Sequence, residues 1–376
     1  MNNLLKQFIG LNNKLYFYTG AESPSLLSNE NAVKQYLKDK SMGELGRKNL
    51  YDIEGQLKVN LAKMIQSKPS EISFAGNASE AMNNLIDSLD IPANSNIIIN
   101  DLEYPSVVFP LLNLQDKGIE VRTVHHINGE ILEEELEKKL DENTFLVAVS
   151  HVSFVNGYRH NLNTLRRLTN KYNTYLLVDA TQSLGVVDVD SVNCDFMIAS
   201  SYKWLLGAHG VGVCYVSDKV IKDLRPRRVG WRSVKEIFHN KRLQEYEYSE
   251  DITKLELGYN AYPTIYILKN STDFLLDVGI KNIEQRVGCL GNYLIKQLKI
   301  QGYTVLSPDL AVKRGGNIAF SAREGEEVMA KLLEKNIHVW GGDGRVRISI
   351  NFYNDENQID QLINALNEVK GELIDG

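Results

Sequence analysis

Short apolar runs recur along residues 70–216, at 71–74, 96–100, 120–124, 145–150, 175–179, 196–199 and 212–215. Between several of them lie stretches with apolar residues every three or four positions, such as 131–140 and 162–172. Brief apolar runs bounded by polar residues predict buried strands, and the 3.6-residue period between them predicts amphipathic helices. Strand, helix, strand repetition predicts an α/β fold with a mostly parallel central sheet covered by helices on both faces. Past Tyr262 the texture changes to long helical patterns over 265–276 and 283–300, short strands at 317–320 and 345–350, and a last helix over 356–373. That predicts a second, smaller α+β domain; no internal repeat is visible.

The length of 376 residues agrees with two domains of about 150 residues each or slightly more. An apolar fraction of 43% and a charged fraction of 24% are those of an ordinary globular enzyme. A net charge of −6 offers no broad attraction for phosphate backbones, so nucleic acid is not an expected partner, although Arg225, Arg227, Arg228 and Arg232 form a local basic cluster. The first residues lack the apolar core of a signal peptide, and the apolar runs are too short to span a bilayer. A cytoplasmic protein without membrane contact is expected. Cys194, Cys214 and Cys289 are widely spaced and odd in number. They suit neither a disulfide framework nor a metal site, and read as small buried residues.

Two strand ends carry candidate chemistry. Lys203, in Ser200-Ser201-Tyr202-Lys203-Trp204, follows an apolar strand and precedes a glycine-punctuated loop. A poorly solvated lysine presents more neutral amine, the form that Schiff-base formation requires. Alone it would read equally as a surface lysine. Asp179, in Leu177-Val178-Asp179-Ala180-Thr181-Gln182, places a carboxylate at the C-terminal edge of the same sheet, where open α/β sheets bind ligands. Such a carboxylate is also a common helix cap, so the pair means more than either member. An Asp that keeps a pyridine nitrogen protonated, with a Schiff-base lysine, is the signature of pyridoxal phosphate chemistry. The segment Phe74-Ala75-Gly76-Asn77-Ala78-Ser79 adds a strand, a turn and a helix start, which suits a phosphate dianion or simply an N-cap.

Taken in order, these blocks resemble the class V aminotransferases, the fold-type-I pyridoxal phosphate group that includes cysteine desulfurases, selenocysteine lyases, kynureninases and isopenicillin N epimerase. The likeness runs through Glu103-Tyr104-Pro105-Ser106, His151-Val152-Ser153, Asp179 to Gln182, Ser200 to Lys203, Glu256-Leu257-Gly258 and Arg347-Ile348-Ser349 with Tyr353-Asn354. It implies a large cofactor domain over 20–260 and a small domain made of 1–19 and 261–376. It implies that Lys203 holds pyridoxal 5'-phosphate as a Schiff base, that Asp179 pairs with the ring nitrogen, and that Gln182 approaches the ring hydroxyl. Ala78, Ser79, Ser200 and Tyr202 would hold the phosphate, Tyr104 would stack on the ring, and Arg347 would grip the substrate carboxylate. A homodimer with shared active sites follows, Tyr259 reaching the neighbouring subunit's phosphate.

The departures are informative. Tyr104 stands where desulfurases carry a histidine, and the loop 337–345 lacks their nucleophilic cysteine. Phe154 replaces an asparagine expected near the ring hydroxyl, with Asn156 the alternative amide. The first expectation is therefore a β-eliminating C–S lyase acting on a small amino acid through an α-carbanion, not a persulfide-forming desulfurase. An aminotransferase or amino-acid epimerase is the alternative, and a non-catalytic cofactor-binding module the distant one. His209 and His338 are candidate proton shuttles or plain loop residues, and Trp231 and Arg232 candidate pocket residues or an exposed charged loop. A nicotinamide-binding reading fails, because no G-x-G-x-x-G joins an early strand to a helix.

Overall fold

All seven apolar runs between residues 70 and 216 are strands of one sheet. The structure, a computed structural model, describes residues 2–375. In chain order the strands are β1 (Leu15–Tyr16), β2 (Ile72–Ala75), β3 (Asn96–Asn100), β4 (Glu120–Val124), β5 (Thr144–Ser150), β6 (Tyr175–Asp179), β7 (Phe196–Ser200), β8 (Gly212–Val216), β9 (Asn317–Ser321), β10 (Ile337–His338), β11 (Trp340–Gly342) and β12 (Arg345–Ser349). The large sheet has the order β2-β8-β7-β6-β5-β3-β4. Its pairs are parallel from β7 through to β4, and β8 runs against both of its neighbours.

Strand alternation explains why the central runs are nearly continuously apolar, while the edge strand β4 carries Glu120 and Arg122. Ile98, Val147, Val149, Leu176 and Val178 enter one hydrophobic core, while Ile97, Ile99, Leu146, Ala148 and Leu177 enter another on the opposite face. Successive side chains point to opposite faces, so a sheet covered on both sides needs apolar residues at every position. The helix Ala78–Asp87 covers one face with Met82 and Leu85, and the helix Gly43–Ile65 covers the other with Leu57 and Leu61.

The helical patterns beyond Tyr262 appear as Tyr262–Val278, Ile280–Ile300 and Glu356–Asp375. A small antiparallel sheet, β11-β12-β9, lies in the same part of the chain. Its hairpin turns through Asp343 (φ 51°) and Gly344 (φ 70°), with Gly342 paired to Arg345. Two central residues in the left-handed region make the two-residue turn that Asp-Gly favours, and this fixes the register of β12. One expectation is corrected: the helix over 131–140 shrinks to Glu133–Glu137, and Ile131 and Leu140 anchor the segment in the core from outside it. Among the described residues no helix is long and apolar enough to cross a membrane.

Candidate active site

The parallel strands end together. Ser150, Asp179 and Ser200 close β5, β6 and β7, and β2 leads through Gly76 into the helix Ala78–Asp87 at the same edge. β8 begins there, at Gly212, where a Cβ would fall within 2.3–2.6 Å of the Asn77 and Ala78 backbone. Glycine thus lets the first turn of that helix close onto the sheet. The Asn77 side chain accepts the Glu80 N–H, and Ala78 and Ser79 line a cavity of about 280 Å³. Its walls also include Tyr104, Asp179, Gln182, Ser200, Tyr202 and Lys203.

Lys203 is buried, its Nζ 5.3 Å from the Tyr104 ring centroid and 5.6 Å from that of Tyr202. Burial, reinforced by the positive charge of Arg347, pushes its amine down to about 8. Burial disfavours the charged form of any group, and a nearby like charge adds to the effect. Asp179 is buried too, and burial raises its carboxyl against the opposing Thr181 hydrogen bonds and the Lys203 charge. Its Oδ1 accepts the Thr181 N–H at 2.8 Å. The Lys203 loop is held by Ser201, whose Oγ donates within 2.6 Å of the Ala208 carbonyl and 2.7 Å of that of Val211.

Eight of the expected site residues meet in this cavity: Ala78, Ser79, Tyr104, Asp179, Gln182, Ser200, Tyr202 and Lys203. Gln182 lines it with its amide already engaged, donating to the Gly20 carbonyl at 2.8 Å and accepting from Trp204 Nε1 at 2.8 Å and Asn317 Nδ2 at 3.0 Å. Asn156 is turned to its own loop, donating to the carbonyls of Gly129 and Leu306. Arg347 lies beside the cavity and donates from Nη1 to the Phe154 carbonyl at 2.8 Å. The Phe154 ring in turn meets Tyr104 edge-on at 5.0 Å. Tyr259 is elsewhere within the chain, in an aromatic cluster with Trp231, Tyr51 and Tyr262.

His209 lines the cavity, stacks on Tyr202 at 4.1 Å and holds Glu22 at 3.3 Å. His338 packs against Tyr16 outside it. Arg232 is partly buried in an ion network with Glu54 and Glu256, while Arg227 and Arg228 pair with Asp90 and Asp87. The basic cluster is therefore largely neutralised by acidic neighbours. Glu103 had no assigned role in the sequence. It is buried and takes the Ser150 N–H at 2.8 Å, the Ser150 hydroxyl at 2.6 Å and the Asn100 amide. Burial pushes it up to about 7 against those hydrogen bonds, and the Asp179 charge adds to the rise.

Pyridoxal phosphate suits this donor set. Among the described residues no guanidinium or ammonium is bonded to the buried Asp179 carboxylate, which calls for a cationic partner such as a protonated ring nitrogen, and a helix N-terminus suits a phosphate. Such a fold and site define a pyridoxal-phosphate-dependent enzyme. The chain belongs to the class V aminotransferases, whose family pattern it matches over residues 30–362. A probable cysteine desulfurase of Methanothermobacter thermautotrophicus is 26% identical over 336 residues, covering 83% of this chain and 82% of that protein. An uncharacterized aminotransferase of Bacillus subtilis is 22% identical over 315 residues, covering 83% of this chain and 82% of that protein. Among solved structures, an apo cysteine desulfurase from Thermococcus onnurineus superposes with a TM-score of 0.90 at 23% identity over 98% of both chains. The cystine C–S lyase C-DES, in complex with its product cysteine persulfide, gives 0.88 at 22% identity over 96% of this chain and 99% of that one. The fold is shared with both.

Proposed function

We propose that this enzyme is a C–S lyase that performs β-elimination on a small sulfur-bearing amino acid, as a cytoplasmic homodimer, and does not form a protein persulfide. Residues 20–260 would hold the cofactor, and 1–19 with 261–376 would carry the substrate-binding Arg347. The observation that supports the lyase reading is the placement of the thiols. Cys194 and Cys214 are buried in the cores, and burial raises both thiols, Cys214 up to about 12. Cys289, expected from the sequence to be buried, is instead exposed in a surface cleft with Arg286, Asp355 and Glu356, none of which lines the Lys203 cavity. A desulfurase needs a reactive thiolate beside the substrate sulfur, and the residues lining this cavity include the rings of Tyr104, Phe154 and Tyr202 but no cysteine.

When bound, pyridoxal phosphate supplies the electron sink that accommodates the charge left by the departing α-proton. Ala78 and Ser79 would hold its phosphate at the helix N-terminus, and Asp179 its ring nitrogen. Tyr104 would cover the ring face, and Arg347 would take the substrate α-carboxylate in exchange for the Phe154 carbonyl. Lys203, whose amine burial makes easier to deprotonate, would remove the α-proton. His209, steadied by Tyr202 and Glu22 at the cavity wall, delivers a proton to the leaving sulfur. The Cα–H and Cβ–S bonds break, a thiol leaves, and the remaining aminoacrylate takes up water to give pyruvate and ammonia.

The test is product identification by mass spectrometry after cofactor-saturated protein meets L-cysteine and S-alkyl-L-cysteines. Pyruvate, ammonia and free thiol in equal amounts are expected. Alanine with a protein persulfide, an oxo acid with pyridoxamine phosphate, or an inverted α-carbon would each replace the lyase reading.

A further inference from the structure

Arg347 has a companion. Arg345 stands two residues away on β12 and so projects from the same face of the strand. The central carbons of both guanidiniums lie against Trp340, 5.0 Å from its ring for Arg345 and 5.1 Å for Arg347. Arg345 is also 5.5 Å from the Phe154 ring, and Phe154 lines the cofactor cavity and accepts the Arg347 hydrogen bond. The two arginines share both of their neighbours.

Arg345 differs from a merely structural arginine in the donors it leaves unpaired. The residue is 4% exposed. Its Nη1 donates to the carbonyl and carboxylate of Asp343, whose side chain is largely exposed. Its Nε and Nη2, which together make one edge of the guanidinium fork, are buried without a hydrogen-bond acceptor, and Arg347 Nε is in the same condition. Buried donors ordinarily find partners, and two adjacent buried cations repel each other unless an anion joins them. A whole fork edge lacking an acceptor is the geometry that receives a carboxylate through two parallel bonds.

We propose that Arg345 is a second anion-binding residue of this site, so that the substrate is an amino acid whose side chain itself ends in a carboxylate or an equivalent anion. The inference rests on the reading of Arg347 as the α-carboxylate ligand. Residues two apart on a strand are roughly 6.7 Å apart, a separation that a side chain of two or three further atoms bridges. Turning the Phe154 loop aside opens both guanidiniums at once, because its carbonyl occupies one and its ring covers the other.

The experiment is calorimetric titration of the holoenzyme with glutarate and with its half-amide, glutaramate. Neither carries an amino group, so neither reacts, and binding is read apart from turnover. Glutarate is expected to bind at least tenfold more tightly than the half-amide. Arg345→Gln should bring the two to within twofold, and Arg345→Lys, which keeps the charge and the buried stem, should retain part of the preference. Equal affinities in the unmodified enzyme, binding of neither ligand, or a preference that survives Arg345→Gln would each overturn the assignment. Pyruvate release from S-carboxymethyl-L-cysteine and from S-methyl-L-cysteine decides the lyase reading separately: release from either one establishes elimination, and release from neither overturns that reading while leaving the glutarate result standing.

Discussion

The Lys203 Nζ lies over the ring of Tyr104, 5.3 Å from its centroid. The lysine comes from the end of β7 and the tyrosine from the residue just before the helix Pro105–Leu112 that follows β3. The sheet brings them together because both strands end at the same edge, and β5 and β6 separate them by the width of the cavity. An amine enclosed in this way loses hydration without gaining a full ion pair, which is why the neutral form becomes accessible.

That depression sets a pH dependence. Lys203 titrates near 8 in the fold against 10.5 in the unfolded chain. The folded value is the lower one, so this group's contribution to apoprotein stability is present above 10.5 and lost as pH falls through 8. For cofactor capture, the rate followed by visible absorbance should rise with pH and level off above about 8. Arg347→Met removes a like charge and should move the midpoint upward. A rate in the unmodified protein that climbs steadily to pH 10 would show an ordinary, solvated lysine.

The proposed role of Tyr104 is to offer a ring face to the cofactor. Tyr104→Phe keeps that face and should leave cofactor affinity within about twofold. Tyr104→Ala should weaken it roughly threefold to tenfold, the range expected for one stacking contact of about 0.5–1.5 kcal/mol. Fluorescence titration of the apoprotein with pyridoxal phosphate distinguishes the two variants; equal losses would assign the role to the hydroxyl.

Glu103 organises the edge of the sheet through Ser150. Glu103→Ala leaves the Ser150 N–H and hydroxyl without their acceptor. The loss should be on the order of 3 kcal/mol, since each buried donor left unpaired costs about 1–3 kcal/mol. Urea unfolding should show a lower midpoint at an unchanged slope. A midpoint within experimental scatter of the unmodified protein would mean that Ser150 finds another acceptor.

Much of this was readable from the chain. Most strands of the large sheet announced themselves because they are mainly apolar on both faces, the edge strand β4 with Glu120 and Arg122 being the least so, and Asp179 and Lys203 stood out as polar groups where such runs stop. The helices Asn29–Lys40 and Gly43–Ile65 were not read, because their amphipathic stripe is weak and polar residues such as Asn60 and Glu54 are buried among them. Glu103 and Arg345 were missed for a related reason. A lone charge in a sequence reads as solvated, and only the fold reveals that the partner of Glu103 is Ser150, 47 residues further on. Gln182 was legible as a strand-end amide, but its three hydrogen-bond partners come from the N-terminal segment, the Lys203 loop and β9.

The proposed homodimer can be tested at the surface. Phe238 is 81% exposed and Leu243 92% exposed, in the same stretch as the half-exposed Trp231. Exposed apolar clusters of this kind commonly mark an interface. Sedimentation velocity should give twice the mass of one chain, and Phe238→Glu combined with Leu243→Glu should shift the equilibrium toward monomer. A monomer at micromolar concentration in the unmodified protein would contradict the dimer.

The central claim is that Lys203 carries the cofactor. Reduction of the holoenzyme with borohydride fixes pyridoxal phosphate covalently on whichever amine holds it, and peptide mapping by mass spectrometry then locates it. The label is expected on the peptide containing Ser201-Tyr202-Lys203-Trp204, and on no lysine in the Lys203→Ala variant, which should also be inactive. A label on another lysine, or turnover retained without Lys203, would contradict the account.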